Sequence, residues 1–312
     1  MEARNEPAFD PSGGDVLNFA LRERAAGRGA AIVTLAAIDG AAPRALGAQM
    51  AVAEDGRFAG SISSGCLERA IQDEARRAIA RGEGGVVRYG KDSPFLDVVL
   101  PCGSGVDLLY TVDPAAETLA GAVETLAARR AFALGFRPGG AEPGDAERPG
   151  WANGVFTRVY PPGLRIVAAG LGAELVLFSR VASAAGYEVC AISPDAESLE
   201  RCRASEKIRL RSASEAPKTQ IDPWTAYILL FHDREWELTL APGALASSAF
   251  YIGAVGSPRT HAARLDALRA RGLDEAMLAR IRGPIGLIPK TRDPATLAVS
   301  VLAGVLDAWP RR

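Results

Sequence analysis

Four cysteines and two histidines bound the chemistry open to this 312-residue chain. Cys66, Cys102, Cys190 and Cys202 lie far apart and form no C-x-x-C pair, which argues against a zinc ribbon or a small disulfide framework and fits a reducing compartment. His232 and His261 are too few for an imidazole cluster around a metal. The segment Gly60-Ser61-Ile62-Ser63-Ser64-Gly65-Cys66-Leu67-Glu68 puts a thiol behind glycines and serines, in the expected first turn of a helix. A helix N-terminus favours negative charge, so a thiol there is a soft metal ligand or a sulfur acceptor, and the loop suits an anion. A cysteine that only fills space beneath a helix would read the same way. Pro101-Cys102-Gly103-Ser104-Gly105 carries a second thiol on a glycine-rich bend: a plain turn, or a second sulfur ligand facing Cys66.

Three further turns carry polar groups. Gly170-Leu171-Gly172 follows an expected strand and opens an expected helix, the setting in which backbone amides approach a phosphate. The third glycine of G-x-G-x-x-G is replaced by Leu175, and Asp195 lies somewhat beyond the usual ribose-binding spacing, so a turn serving close packing competes with a nucleotide or pterin phosphate site. His232-Asp233 ends the apolar run 228–231, where doubly wound sheets place ligand contacts, although a capping or core role fits equally. In Gly253-Ala254-Val255-Gly256-Ser257-Pro258-Arg259, Ser257 is a candidate cap and Arg259 a candidate phosphate partner at an otherwise ordinary helix start. No G-x-S-x-G, P-loop or H-E-x-x-H motif is present, which removes the simplest hydrolase, phosphoryl-transfer and metalloprotease readings.

Elements able to position these turns are visible in the periodicity. Residues 16–26 have helical spacing, residues 30–37 and 49–53 read as strands, and Glu54-Asp55-Gly56-Arg57 as a tight turn. A helix is predicted from Leu67 to near Gly82, strands at 85–89, 98–100 and 106–111, and a helix at 115–129. Residues 137–150 are rich in proline and glycine and read as an exposed linker without function. Residues 155–160 make one last strand before Pro161-Pro162-Gly163. From Leu164 short apolar strands alternate with helical segments (helices at 173–185, 199–206, 242–246, 259–271, 275–281 and 293–308), the pattern of a doubly wound parallel sheet. The expectation is therefore an N-terminal mixed α/β domain, residues 1–160, followed by a Rossmann-like doubly wound domain, residues 161–312.

Charge is balanced, 36 Lys+Arg against 37 Asp+Glu, so no global field draws the chain to nucleic acid or an anionic membrane. Residues 1–14 are charged without an apolar run, and no stretch reaches the roughly 18 apolar residues of a membrane span. A cytoplasmic protein is expected.

Ala42-Pro43-Arg44 with Gly47 and Met50, residues 60–68, Pro101-Cys102-Gly103, the Gly170/Gly172 turn, His232-Asp233, Tyr251-Ile252-Gly253 with Gly256, Ser257 and Arg259, and Pro284-Ile285-Gly286-Leu287 with Ala298-Val299-Ser300 together resemble the xanthine dehydrogenase accessory family, XdhC/CoxI. The resemblance covers nearly the whole chain. It implies an accessory chaperone without turnover that binds molybdenum cofactor transiently, protects it during sulfuration and delivers it to an apo molybdenum hydroxylase. It further implies a homodimer and a cysteine desulfurase as second partner. The cofactor-binding residues it points to are Cys66, Ser64, Gly65, Cys102, Gly103, Gly170, Gly172, His232, Ser257 and Arg259, with Cys66 as ligand to molybdenum. The alternative is an NAD(P)-dependent oxidoreductase that uses the C-terminal domain, with His232 as acid/base.

Overall fold

The computed structural model describes residues 13–63, 65–93, 103–212, 217 and 219–309. Its packing divides into two compact units, Met1–Pro162 and Gly163–Arg311. The first begins with α1 (Gly14–Ala25), entered through left-handed Gly13. β1 (Ala30–Asp39), β2 (Gln49–Ala53) and β3 (Phe58–Gly60) follow, and the Asp55-Gly56 turn closes β2 onto β3 as expected. Asp55 accepts the Arg57 amide at 3.0 Å while Gly56 takes φ 88°, a conformation that needs no Cβ. α2 (Glu68–Arg81) stops on left-handed Gly82, and β4 (Gly85–Gly90), β5 (Gly105–Val112) and α3 (Ala116–Ala127) complete the main layer. The strand expected at residues 98–100 lies outside the described residues.

Antiparallel pairing gives the sheet order β3-β2-β1-β5-β4. Both faces of β1 are covered: Ala31, Val33 and Leu35 pack with Ile71, Ala75 and Ala78 of α2, whereas Ile32 and Ala36 pack with Leu17 and Ala20 of α1 and Leu119 of α3. A central strand enclosed in this way loses the apolar/polar alternation of a half-exposed one, which is why residues 30–37 form a continuous apolar run.

The linker expected at residues 137–150 is instead largely sheet. β6 (Phe132–Arg137), β7 (Gly140–Gly144), β8 (Gly150–Ala152) and β9 (Val155–Tyr160) form a second antiparallel sheet in the order β7-β6-β9-β8. Pro143 is tolerated because β7 is an edge strand, so its missing N–H interrupts no inner ladder. This sheet also supports β1: pairing with β5 slips between Leu35 and Ala37, and the Ala36 carbonyl accepts the Trp151 indole N–H at 2.9 Å.

The second unit contains β10 (Arg165–Gly170), α4 (Gly172–Ala184), β11 (Glu188–Ser193), α5 (Ala196–Arg201), β12 (Glu206–Arg209), β13 (Thr225–Leu230), α6 (Arg234–Ala246), β14 (Tyr251–Ala254), α7 (Pro258–Ala270), α8 (Glu275–Leu278), β15 (Ile281–Arg282) and α9 (Pro294–Ala308). All pairings are parallel in the order β12-β11-β10-β13-β14-β15, the expected doubly wound sheet. α4 and α9 cover one face and α6, α7 and α8 the other. The helix expected at 199–206 comes earlier because Asp195 caps α5, accepting the Ser198 amide at 2.9 Å, after which the chain enters β12. The helix expected at 242–246 starts at Arg234 under an Asp233 cap and carries Pro242 inside it. The one expected at 275–281 ends at Leu278, leaving Ile281 to β15.

Arg264 of α7 is buried and donates through Nε and a terminal nitrogen to Glu237 of α6 at 2.8 and 2.9 Å, and to the Val255 carbonyl at 2.7 Å. This pair ties two helices to the end of β14. Deleting one member strands the other charge in the core. Glu237→Ala is expected to cost about 3–5 kcal/mol in urea unfolding, whereas replacing Glu237 and Arg264 together by methionine should recover most of it.

Candidate functional site

The loop of residues 60–68 is organised by one carboxylate. Glu68, first residue of α2, accepts from Ser61 Oγ at 2.8 Å, the Ser63 amide at 2.9 Å, Ser63 Oγ, and the Gly65 amide at 2.9 Å. Ser63 Oγ in turn accepts the Leu67 amide at 2.8 Å. The Gly65-to-Glu68 contact spans three residues and clasps the loop just ahead of the helix, whose cap position is Leu67. Gly60 cannot be replaced cheaply, since at φ 82° an added Cβ would lie 2.5 Å from the Gln49 carbonyl oxygen and 2.6 Å from Val16. Burial of the Glu68 carboxyl raises its proton affinity, but the Ser63 and Ser61 hydrogen bonds outweigh this and hold it below the ordinary value of 4.5.

Cys66 stands at the crest of this loop. The helix begins at Glu68 with Leu67 as cap, so Cys66 precedes the helix instead of occupying its first turn, and it is exposed, not buried beneath it. Leu67 takes the inward position at 2% exposure. Gly65 is exposed beside it, with φ 104° and open space around its Cα. Ser64 and Cys102 lie outside the described residues; Gly103 is exposed at left-handed φ 66°. Cys190 and Cys202 are buried, and burial raises both thiols, that of Cys190 to about 12, so both stay protonated.

In the second unit the expected residues gather at the carboxyl ends of the parallel strands. Gly170 ends β10, and an added Cβ would lie 2.7 Å from Leu230 Cβ and 2.8 Å from its carbonyl oxygen, so this glycine serves close packing against β13. Gly172 takes φ 62° and its amide donates to Ser198 Oγ at 2.9 Å. Leu175 is fully buried in the core below. His232 is 77% exposed, with Nε2 3.3 Å from Glu174 Oε1. Ser257 caps α7, accepting the Thr260 amide at 3.1 Å, and Arg259 is exposed in the first turn of that helix. Among the described residues no group of three or more His, Cys, Asp and Glu side chains could hold a metal ion, and no helix is long and apolar enough to cross a membrane.

Sequence reasoning missed three residues that shape these sites: Glu68 as organiser of the loop, Ser198 as acceptor for Gly172, and Glu174 as partner of His232. Gly65-Cys66-Leu67-Glu68 is not the S/T-x-x-E pattern of a capping box, so no local signal marked Glu68. The other two contacts join residues 26 and 58 positions apart, and no local pattern records them.

A doubly wound parallel domain that follows, in sequence, a separate α/β unit with an exposed loop thiol defines a two-unit Rossmann-type protein. Residues 166–305 match the XdhC Rossmann domain, and residues 23–90 match the XdhC and CoxI family. The molybdenum cofactor insertion chaperone PaoD of Escherichia coli strain K12 is 37% identical over 294 residues, 93% of this chain and 86% of that protein. The chain belongs to the XdhC and CoxI family, as its motifs implied. A crystal structure of a Bacillus halodurans protein described as a xanthine dehydrogenase superposes with a TM-score of 0.72 at 18% identity, over 94% of this chain and 95% of the other, a likeness of fold.

Because the Glu68 carboxyl is held below its ordinary value, its contribution is fully present above 4.5 and is lost as pH falls through the lower folded value. Glu68→Gln is expected to cost about 1 kcal/mol at neutral pH, allowing for solvent screening. Thermal unfolding of both proteins should show this gap closing as the pH falls below 4.5.

Proposed function

We propose that this protein is a molybdenum cofactor insertion chaperone. It binds the pterin cofactor as cargo, shelters it while a terminal sulfido ligand replaces an oxo group, and delivers it to an apo molybdenum hydroxylase. The observation that carries this reading is Cys66, exposed on a loop in which the Ser61 and Ser63 hydroxyls and the Ser63 and Gly65 amides are tied to Glu68. With the Ser61 and Ser63 hydroxyls and the Ser63, Gly65 and Leu67 amides held within the loop, the exposed thiol is presented outward. Molybdenum arrives with the pterin dithiolene, so a single soft protein ligand is enough to retain it and easily released on delivery. Family membership and the 37% identity to a named insertion chaperone support the same reading over the oxidoreductase alternative.

In this reading Gly65, left-handed and open, lets the cofactor approach the backbone beside Cys66. Ser64, Cys102 and Gly103 are proposed to complete the contact. Ser257 and Arg259, beyond the carboxyl end of β14 in the second unit, are the proposed contacts to the remainder of the cofactor; Gly170 is committed to packing against Leu230, the Gly172 amide to Ser198, and His232 lies beside Glu174. A cytoplasmic homodimer that also meets a cysteine desulfurase is part of the same proposal.

The test is titration of wild type and Cys66→Ser with anaerobically released molybdenum cofactor, with ultrafiltration separating bound from free pterin and molybdenum. Saturable binding by wild type, weakened at least about tenfold in Cys66→Ser with unchanged thermal unfolding, is expected. Equal binding by both would remove Cys66 as ligand, and no binding by wild type would remove the chaperone reading.

A further inference from the structure

The second unit has the topology of a dinucleotide-binding domain, and polar groups around its crevice are engaged by the chain itself. In doubly wound sheets the ligand lies outside the carboxyl ends of the strands where the strand order reverses, here between β10 and β13. A dinucleotide is held there by first-turn amides of the helix after the glycine turn, by an acidic side chain at the end of the next strand, and by a third glycine that lets helix and strand approach.

Each of these features is turned inward. The Gly172 amide is committed to Ser198 Oγ, and Ser198 Oγ donates to Asp195 Oδ2 at 2.5 Å. Asp195 Oδ2 also accepts the Ser198 amide at 2.9 Å, so the acid at the end of β11 caps α5. Leu175, in place of the third glycine, packs into the core. Glu174, in the first turn of α4, then reaches across the crevice: its Oε1 lies 3.3 Å from Nε2 of His232, which follows β13. The side chain of Glu174 is 23% exposed, so the carboxylate is held at the helix start instead of swinging into solvent.

We infer that the Glu174–His232 bridge closes the switch-point crevice to pyrophosphate, and that Glu174 is the specificity-determining residue. A carboxylate at the start of α4 cancels the partial positive charge that would attract phosphate and repels the phosphates directly. The first-turn amides of a helix lack intrahelical acceptors, so removing the carboxylate restores an anion-binding end even with Gly172 engaged. The inference does not rest on the chaperone reading, whose second-unit contacts are Ser257 and Arg259 beyond β14; it concerns the crevice between β10 and β13.

Equilibrium dialysis of the full chain with ADP, NAD, inorganic pyrophosphate and adenosine tests it. Wild type is expected to show no saturable binding of ADP, NAD or pyrophosphate at millimolar concentration. Glu174→Ala should bind all three, with affinity raised at least about tenfold, and adenosine should gain nothing. Its thermal unfolding should match wild type, because a bridge to an imidazole this exposed adds little stability. Tight binding of NAD or ADP by wild type overturns the inference. So does a Glu174→Ala protein that binds no better than wild type, or an equal gain for adenosine, which would indicate shape instead of charge.

Discussion

A tight loop that turns a thiol outward must first satisfy its own backbone, and in the first unit that requirement falls on Glu68. The amides of buried Ser63 and exposed Gly65 both turn to the Glu68 carboxylate. An ionised carboxylate accepts several donors at once, and Glu68 is anchored at the start of α2 where the helix favours its charge. Burial of Leu67 then fixes the direction of the chain, and Cys66, one residue earlier, faces out. The sheet beneath is built to hold this geometry: Gly60 ends β3 against β2 with no room for a side chain, so the loop leaves the sheet at one angle.

Elements enclosed in the core were the legible ones. β1, β2, β9, β10 and β13 are apolar runs whose limits the composition marked to within a residue or two. Apart from inner β6, the strands that escaped notice lie at edges or are short. β12, Glu-Lys-Ile-Arg, is held by backbone hydrogen bonds along one side only and keeps its charged side chains in solvent, so it carries no apolar signal. β7 reads Gly-Ala-Glu-Pro-Gly, a composition that signals a loop, and becomes a strand because β6 provides a partner. Tertiary context decided both.

The candidate sites were legible as turns and much less as chemistry. Cys66 was identifiable because a thiol among glycines and serines before a helix is unusual, but whether it faced in or out depended on where α2 begins, a matter of two residues. Gly170 and Gly172 were correctly placed at a strand-to-helix turn. Their roles differ, however: Gly170 exists for contact with β13, and the Gly172 amide serves Ser198. A glycine pair reports only that the backbone comes close to something. What it approaches is set by residues from other strands.

Both glycine-rich turns therefore follow one physical logic with opposite outcomes. In each, left-handed glycines turn backbone amides toward a polar centre, and in each the acceptor is a side chain of the protein, Glu68 in one unit and Ser198 with Asp195 in the other. Around Glu68 this internal satisfaction presents a thiol to solvent. Around Asp195 and Ser198 it takes up the Gly172 amide, one of the donors that a nucleotide would need, and Glu174 adds a charge of the wrong sign. A Rossmann topology can thus persist as a scaffold after its phosphate site has been taken up by the chain's own acids, because the parallel sheet and its two apolar faces do not depend on the ligand.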